Sequence, residues 1–114
     1  SSRQIVVFAN TGYPSTVTNI DVWPDDGVTE HNTNYAEISF YEAAEDGAQV
    51  GSVLASVTTD TVGAGGTGTW IAGAFAFNAP IAFDIAAGHS LRVFIDSASH
   101  GSGVNVPAMW LRVT

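Results

Sequence analysis

The groups able to do chemistry in this chain are few: three histidines, eleven acids and three arginines, with neither cysteine nor lysine. Thiolate and amine nucleophiles, thiolate metal sites and disulfides are thereby excluded. His31, His89 and His100 form no H-x-H or H-x-x-x-H pair, so a zinc site would need them to converge through folding. No G-x-S-x-G elbow occurs, since Gly88-His89-Ser90-Leu91-Arg92 lacks the final glycine. A Ser/His/Asp or two-carboxylate site assembled by folding stays open, but every usual local signature of catalysis is missing. The expectation is a protein that is not an enzyme.

Residues 63–68 read Gly-Ala-Gly-Gly-Thr-Gly and fit G-x-G-x-x-G literally. A dinucleotide site needs a strand before that loop and a helix after it, so that the pyrophosphate meets a helix N-terminus. Here the loop runs into a strand-like aromatic stretch. No cofactor is expected, and a mobile loop or a partner-contacting arm fits better. Asp21, Asp25, Asp26 and Glu30 form an acidic cluster in the sequence. Calcium takes roughly 6–8 oxygens from such loops. The EF-hand spacing is absent, with Val22 and Pro24 where ligands should stand. A solvated turn with an Asp capping its own backbone is expected there, and no metal site. Trp23, Trp70, Trp110, Tyr13, Tyr35 and Tyr41, with Asn32, Asn34, Asp25 and Asp26, are the parts of a sugar-stacking, lectin-like site. The same residue types also build all-β cores and interfaces.

The elements that must position these groups have an apolar period of 2, not 3.6. Strand-like runs fall at residues 4–9, 16–23, 35–43, 48–57, 69–77, 81–85, 90–96 and 108–114. The alternation puts Ile38 with Phe40; Val53 with Ala55 and Val57; Ile71 with Gly73, Phe75 and Phe77; and Ile81 with Phe83 and Ile85. Leu91, Val93 and Ile95 share one face, as do Met109, Leu111 and Val113. Pro24-Asp25-Asp26-Gly27 and Glu45-Asp46-Gly47 are strong turn signals. Residues 62–68 and 97–103 read as flexible loops, and no stretch reads as a sizeable helix. The expected architecture is all-β: a single domain over residues 1–114, an antiparallel β-sandwich, jelly-roll-like, of about eight strands.

The opposite faces of the last two strands carry Arg92, Phe94 and Asp96 on one, and Trp110 and Arg112 on the other. Arginine and large aromatics are enriched at interfaces. Arg92, Phe94, Trp110 and Arg112 are therefore candidate interface residues, and Trp70 joins them. The alternative is that this face packs inside the domain, with Arg92 or Arg112 paired to an acid.

Composition points the same way. Charged residues make up only 12% of the chain, against roughly 25% in an ordinary soluble domain. A monomer of this mass exposes on the order of 5,900 Å², of which its charged side chains cover roughly a quarter. The rest is Ser, Thr, Asn, Gly, Ala and aromatic surface, or is hidden by a partner. The net charge of −8 repels phosphate backbones and anionic lipid surfaces, so neither nucleic acid nor a membrane is an expected partner. No apolar run approaches the ~20 residues of a membrane helix, and no signal peptide is expected in SSRQIVVFAN. Residues 62–82 carry no charge at all.

Size, acidity, lack of cysteine, the all-β pattern and the weakly charged surface together resemble the small capsid cement, or decoration, proteins of tailed bacteriophages. The resemblance spans the chain and rests on no diagnostic motif. It implies a non-enzymatic structural protein of the virion that forms a homo-oligomer, a trimer by expectation. It also implies attachment to a larger assembly such as a major capsid protein at the capsid surface. The alternative from the residues themselves is a carbohydrate-binding, lectin-like module, assisted by calcium at the Asp25/Asp26 turn.

Overall fold

The computed structural model describes residues 3–9, 15–79, 82–96, 104 and 106–114, of which 3–9 and 79 by backbone alone. Nine strands are present among them: β1 (Arg3–Ala9), β2 (Ser15–Val17), β3 (Ile20–Pro24), β4 (Glu37–Ala43), β5 (Gln49–Thr58), β6 (Phe77–Ala79), β7 (Phe83–Ile85), β8 (Ser90–Asp96) and β9 (Met109–Val113). One short 3-10 turn covers Val62–Ala64. The fold is all-β, as the period-2 pattern predicts.

Every strand pairing is antiparallel. A four-stranded sheet has the order β1-β8-β4-β5, a three-stranded sheet β6-β3-β9, and a two-stranded ribbon β2-β7. The pairs β1–β8, β2–β7, β3–β6 and β4–β5 are nested, so the chain folds back along itself like a long hairpin. β9 stands outside that nesting and adds to the free side of β3.

The sheets sandwich one core. Ile38, Phe40, Leu91, Val93 and Ile95 enter it from β4 and β8, and Val17, Ile20, Val22, Phe77 and Ile85 from the smaller sheets. Met109, Leu111 and Val113 pack against the cluster, as the alternation in β9 predicts. β8 shows the physics most simply: its β-branched and leucine residues alternate with Arg92 and Phe94, so one face buries fully and the other does not.

Four sequence expectations are corrected. The run 16–23 is two strands, not one. The Thr18 and Asn19 amides leave the ladder and donate to the Thr114 carbonyl (2.7 and 3.2 Å). The run 69–77 is largely not a strand: Trp70 makes an isolated bridge to Val28, and only Phe77 joins a ladder. Between them the chain turns, with Ala74 N–H donating to Ile71 O and Gly73 N–H to Pro24 O. Small residues at 72–74 offer a sheet little to pack, and Ile71 and Phe75 point outward instead of sharing a buried face with Phe77. In β5, Ala55 and Val57 pack on the core while Val53 is exposed. There β4 advances two residues, Phe40 to Glu42, while β5 advances five, Ala55 to Val50, so a segment of β5 bulges out. Ile81 and residues 97–103 lie outside the described residues.

The fourth correction concerns residues 62–68, which form a compact turn rather than an arm. Gly65 N–H donates to Val62 O, Gly66 N–H to Thr61 O, Thr67 N–H to Thr58 O and Gly68 N–H to Asp60 O. The glycine at 66 is a packing requirement, because a Cβ there would collide with the Asp60 carbonyl. Gly66→Ala is accordingly expected to destabilise the protein by about 1–3 kcal/mol in urea unfolding, with the β-sheet circular dichroism retained. Unchanged stability would show that the turn yields freely.

Candidate functional site

The outer face of the three-stranded sheet gathers the richest set of side chains. β3 and β9 place Trp23 directly opposite Trp110, and Asp21 opposite Arg112. Strand alternation dictates this, since Ile20, Val22, Leu111 and Val113 turn inward and leave the intervening residues outside. Asp21 is nevertheless buried, because its neighbours close over it. Arg112 donates to Asp21 Oδ2 through Nε (2.9 Å) and Nη2 (2.6 Å). Asn78 Nδ2 donates to Asp21 Oδ1 (2.8 Å) and also reaches Asn19 Oδ1. The Arg112 guanidinium carbon then lies 5.4 Å from the centre of the Trp23 ring, a cation–π arrangement.

Trp23 is the hub of this face. Phe75, from the turn before β6, meets it edge-on with ring centres 5.7 Å apart. Trp110 is 69% exposed, Ile71 67% and Phe75 55%. The Trp110 indole N–H reaches only a long contact, 3.4 Å, with Asp25 Oδ1. An aromatic ledge is therefore presented to the outside, with a neutralised ion pair at one end.

Of the five predicted interface residues, two sit on this ledge: Trp110 and Arg112. Arg92 and Phe94 do not join them. They stand on β8, on the outer face of the four-stranded sheet, so the core separates the two pairs. The shared face read from sequence is thus two opposite faces. The reason is strand order, since β8 and β9 are consecutive in the chain yet belong to different sheets. Arg92 is also half-buried: its Nε donates to Ser90 Oγ (3.1 Å), and its guanidinium lies against Gly47 of the β4–β5 turn. Trp70, the fifth candidate, is 2% exposed and belongs to the core. Its backbone pairs with Val28 in both directions (2.8 and 3.0 Å), and its ring packs against Phe77 at 5.6 Å. Trp23 and Phe75 were missed as ledge residues. The signal for Trp23 was its odd position in β3, beside Asp21.

The other chemical groups are dispersed. Asp26 Oδ1 accepts from Gly27 N–H (2.8 Å), the self-capped turn predicted from sequence. Asp21 is held by Arg112 and so does not join Asp25, Asp26 and Glu30 in a cluster. Among the described residues no group of three or more His, Asp or Glu converges as a cation cage. His31 Nδ1 accepts the Thr33 and Asn34 amides (3.1 and 3.0 Å). His89 Nδ1 pairs with Glu42 Oε2 at 2.7 Å. His100 and Tyr13 lie outside the described residues. No helix among the described residues is long and apolar enough to cross a membrane. Comparison of the chain with protein-family models, with curated proteins and with solved structures finds no match.

Hydrogen bonds from Asn78, Arg112 and Asn19 hold the Asp21 carboxyl below its ordinary 3.8, against the opposing effect of burial. A lowered folded-state value means that the stabilisation is complete above the unfolded value. It fades as pH falls through the folded one. The melting-temperature gap between wild type and Asp21→Asn is expected to be constant from pH 7 to about 5 and to shrink below pH 3.8. A gap of constant size down to pH 2 would show that the charge of Asp21 contributes nothing.

Proposed function

We propose that this chain is a non-enzymatic assembly module that self-associates through the Trp23–Phe75–Trp110 ledge and, so multimerised, attaches to a larger protein shell. The observation that carries the reading is the ledge itself: Phe75 and Trp110, each more than half exposed, stand against Trp23, and exposed Ile71 lies in the same turn as Phe75. Monomeric soluble proteins rarely leave such a group in water without a use for it.

The occupant follows from charge. Two copies of net charge −8 repel unless they meet where charge is lacking. Ile71 and Phe75 belong to residues 62–82, which hold no charged side chain. The cation beside the ledge, Arg112, is neutralised by Asp21. A second copy can therefore cover the part of this surface around Phe75 and Arg112 without stranding an unpaired charge, provided that exposed Asp25, which reaches the Trp110 indole N–H, stays at its rim. A closed oligomer, for which a trimer is the expectation, then multiplies individually weak contacts with a repetitive shell. The resemblance to phage decoration proteins supplies the kind of shell: a capsid, with the protein on its outer surface.

Light scattering over a concentration series tests the reading. Wild type is expected above the monomer mass at tens of micromolar. Trp110→Asp and Phe75→Asp should return it to the 11.8 kDa monomer with the fold intact. Phe94→Asp, on the opposite face, should leave the oligomer unchanged. A wild-type protein that stays monomeric at high concentration, or an oligomer indifferent to Trp110→Asp and Phe75→Asp, overturns the proposal.

A further inference from the structure

Two Asp-Gly pairs stand in turns, and the fold treats them differently. Asp26-Gly27 follows β3, and Asp46-Gly47 lies between β4 and β5. Such pairs are prone to attack by the glycine nitrogen on the aspartate side chain, because glycine lacks the Cβ that would shield its amide. Whether the attack occurs depends on how the fold holds the two groups.

At Asp26 they are held together. The Gly27 N–H donates to Asp26 Oδ1 at 2.8 Å, so the nitrogen stands beside the carboxyl group. Both residues are exposed, and water reaches the pair. At Asp46 the same groups are kept apart. The Gly47 N–H donates to the Ala44 carbonyl (2.9 Å), and Asp46 Oδ1 accepts from the Ala48 amide instead (3.0 Å). Gly47 is also half-buried against the Arg92 guanidinium. A third pair has the contact but not the access. Thr61 N–H donates to Asp60 Oδ1 at 2.8 Å, yet Asp60 is 9% exposed and Thr61 is β-branched. Of the three, Asp26 combines contact, exposure and an unshielded amide.

We propose that Asp26 is a site of spontaneous covalent modification, at which the chain isomerises to isoaspartate. The Gly27 nitrogen forms a bond to Cγ of the protonated Asp26 carboxyl. The Cγ–OH bond breaks, and the hydroxyl leaves with the amide proton as water. The product is a five-membered cyclic imide. Water then opens the ring at one of its two carbonyls. Addition at Cγ restores aspartate. Addition at the Asp26 backbone carbonyl breaks its bond to the Gly27 nitrogen and leaves the chain running through Cβ and Cγ. Nothing is oxidised or reduced, water is the only co-reactant, and mass and charge end unchanged.

The isomer carries one extra main-chain carbon where there is little slack. On one side, the Asp25 amide donates to the Ala108 carbonyl (2.8 Å). On the other, Val28 is buried and is bridged to Trp70 through both its amide and its carbonyl. Gly27 already lies so near that a Cβ on it would stand 3.2 Å from the Trp70 carbonyl. The added carbon therefore strains the Val28–Trp70 bridge, and an exposed turn acts on the core.

Incubation of the wild-type protein at physiological temperature and neutral pH, folded and in urea, tests the proposal by peptide mapping with electron-transfer fragmentation. In the folded protein, isoaspartate at Asp26 is expected to exceed that at Asp46 by about tenfold. In urea, where both pairs move freely, the two should agree within about twofold. Asp26→Glu keeps the charge but needs a larger ring, and should show no isomer at that position. Asp26→Asn forms the same imide by releasing ammonia, and should yield the same two products faster. The purified isomer is expected to melt below its parent, with faster hydrogen exchange at the Val28 and Trp70 amides. Equal isomer at Asp26 and Asp46 in the folded protein overturns the proposal, and so does an Asp26 that stays intact when folded. An isomer that melts like its parent overturns the link to the Val28–Trp70 bridge.

Discussion

The burial of Trp70 is the constraint on which the rest of the molecule depends. Its backbone bridges Val28, its ring lies on Phe77, and its indole N–H donates to Thr67 Oγ1 at 2.9 Å. That hydroxyl in turn donates to the Thr58 carbonyl at the end of β5. One side chain thereby fastens the connection between the two main sheets to both. Everything next to it follows. With Trp70 turned inward, Ile71 must face out, and the turn that follows delivers Phe75 to the ring of Trp23. The exposed ledge is the outward consequence of an inward anchor, so it is held in place by the core.

Where a strand is half-buried and regular, the sequence is a sufficient guide. β8 and β9 show their inner and outer residues by alternation alone, and so does the first half of β4. Legibility fails where backbone hydrogen bonds, not side-chain preference, decide. The pause at Thr18–Asn19 depends on the distant Thr114 carbonyl, which no local pattern announces. Residues 71–77 alternate well enough for a strand, yet the Pro24 carbonyl captures Gly73 and bends them into a turn. The bulge of β5 is the extreme case. It exists because two neighbouring strands advance at different rates, and a register mismatch belongs to a pair of strands rather than to either one.

For the candidate interface residues, alternation predicts which side chains face outward but not which sheet they stand on. Arg112 and Trp110 were identified from alternation, whereas the expectation that they share a face with Arg92 and Phe94 required strand order, which alternation does not encode. The same limit explains Trp70. Residue type marks a large aromatic as suited to a core or to an interface, and only tertiary position chooses. The scarcity of charge now has two locations. Asp21 and Arg112 cancel on one face, and Ser39, Tyr41, Val53 and Phe94 leave most of the other without charge beside half-buried Arg92.

The excursion in β5 has a further effect at the rim of the fold. β5 is the last strand of its sheet, and an outermost strand normally offers unpaired amides and carbonyls to any extended chain that drifts alongside. An interrupted edge cannot act as a continuous template, because a straight newcomer loses registry where Gly51 swings the backbone away. For a weakly charged, β-rich protein, this is protection against fibrous growth. At that border the molecule resists extending its sheet with a neighbouring chain.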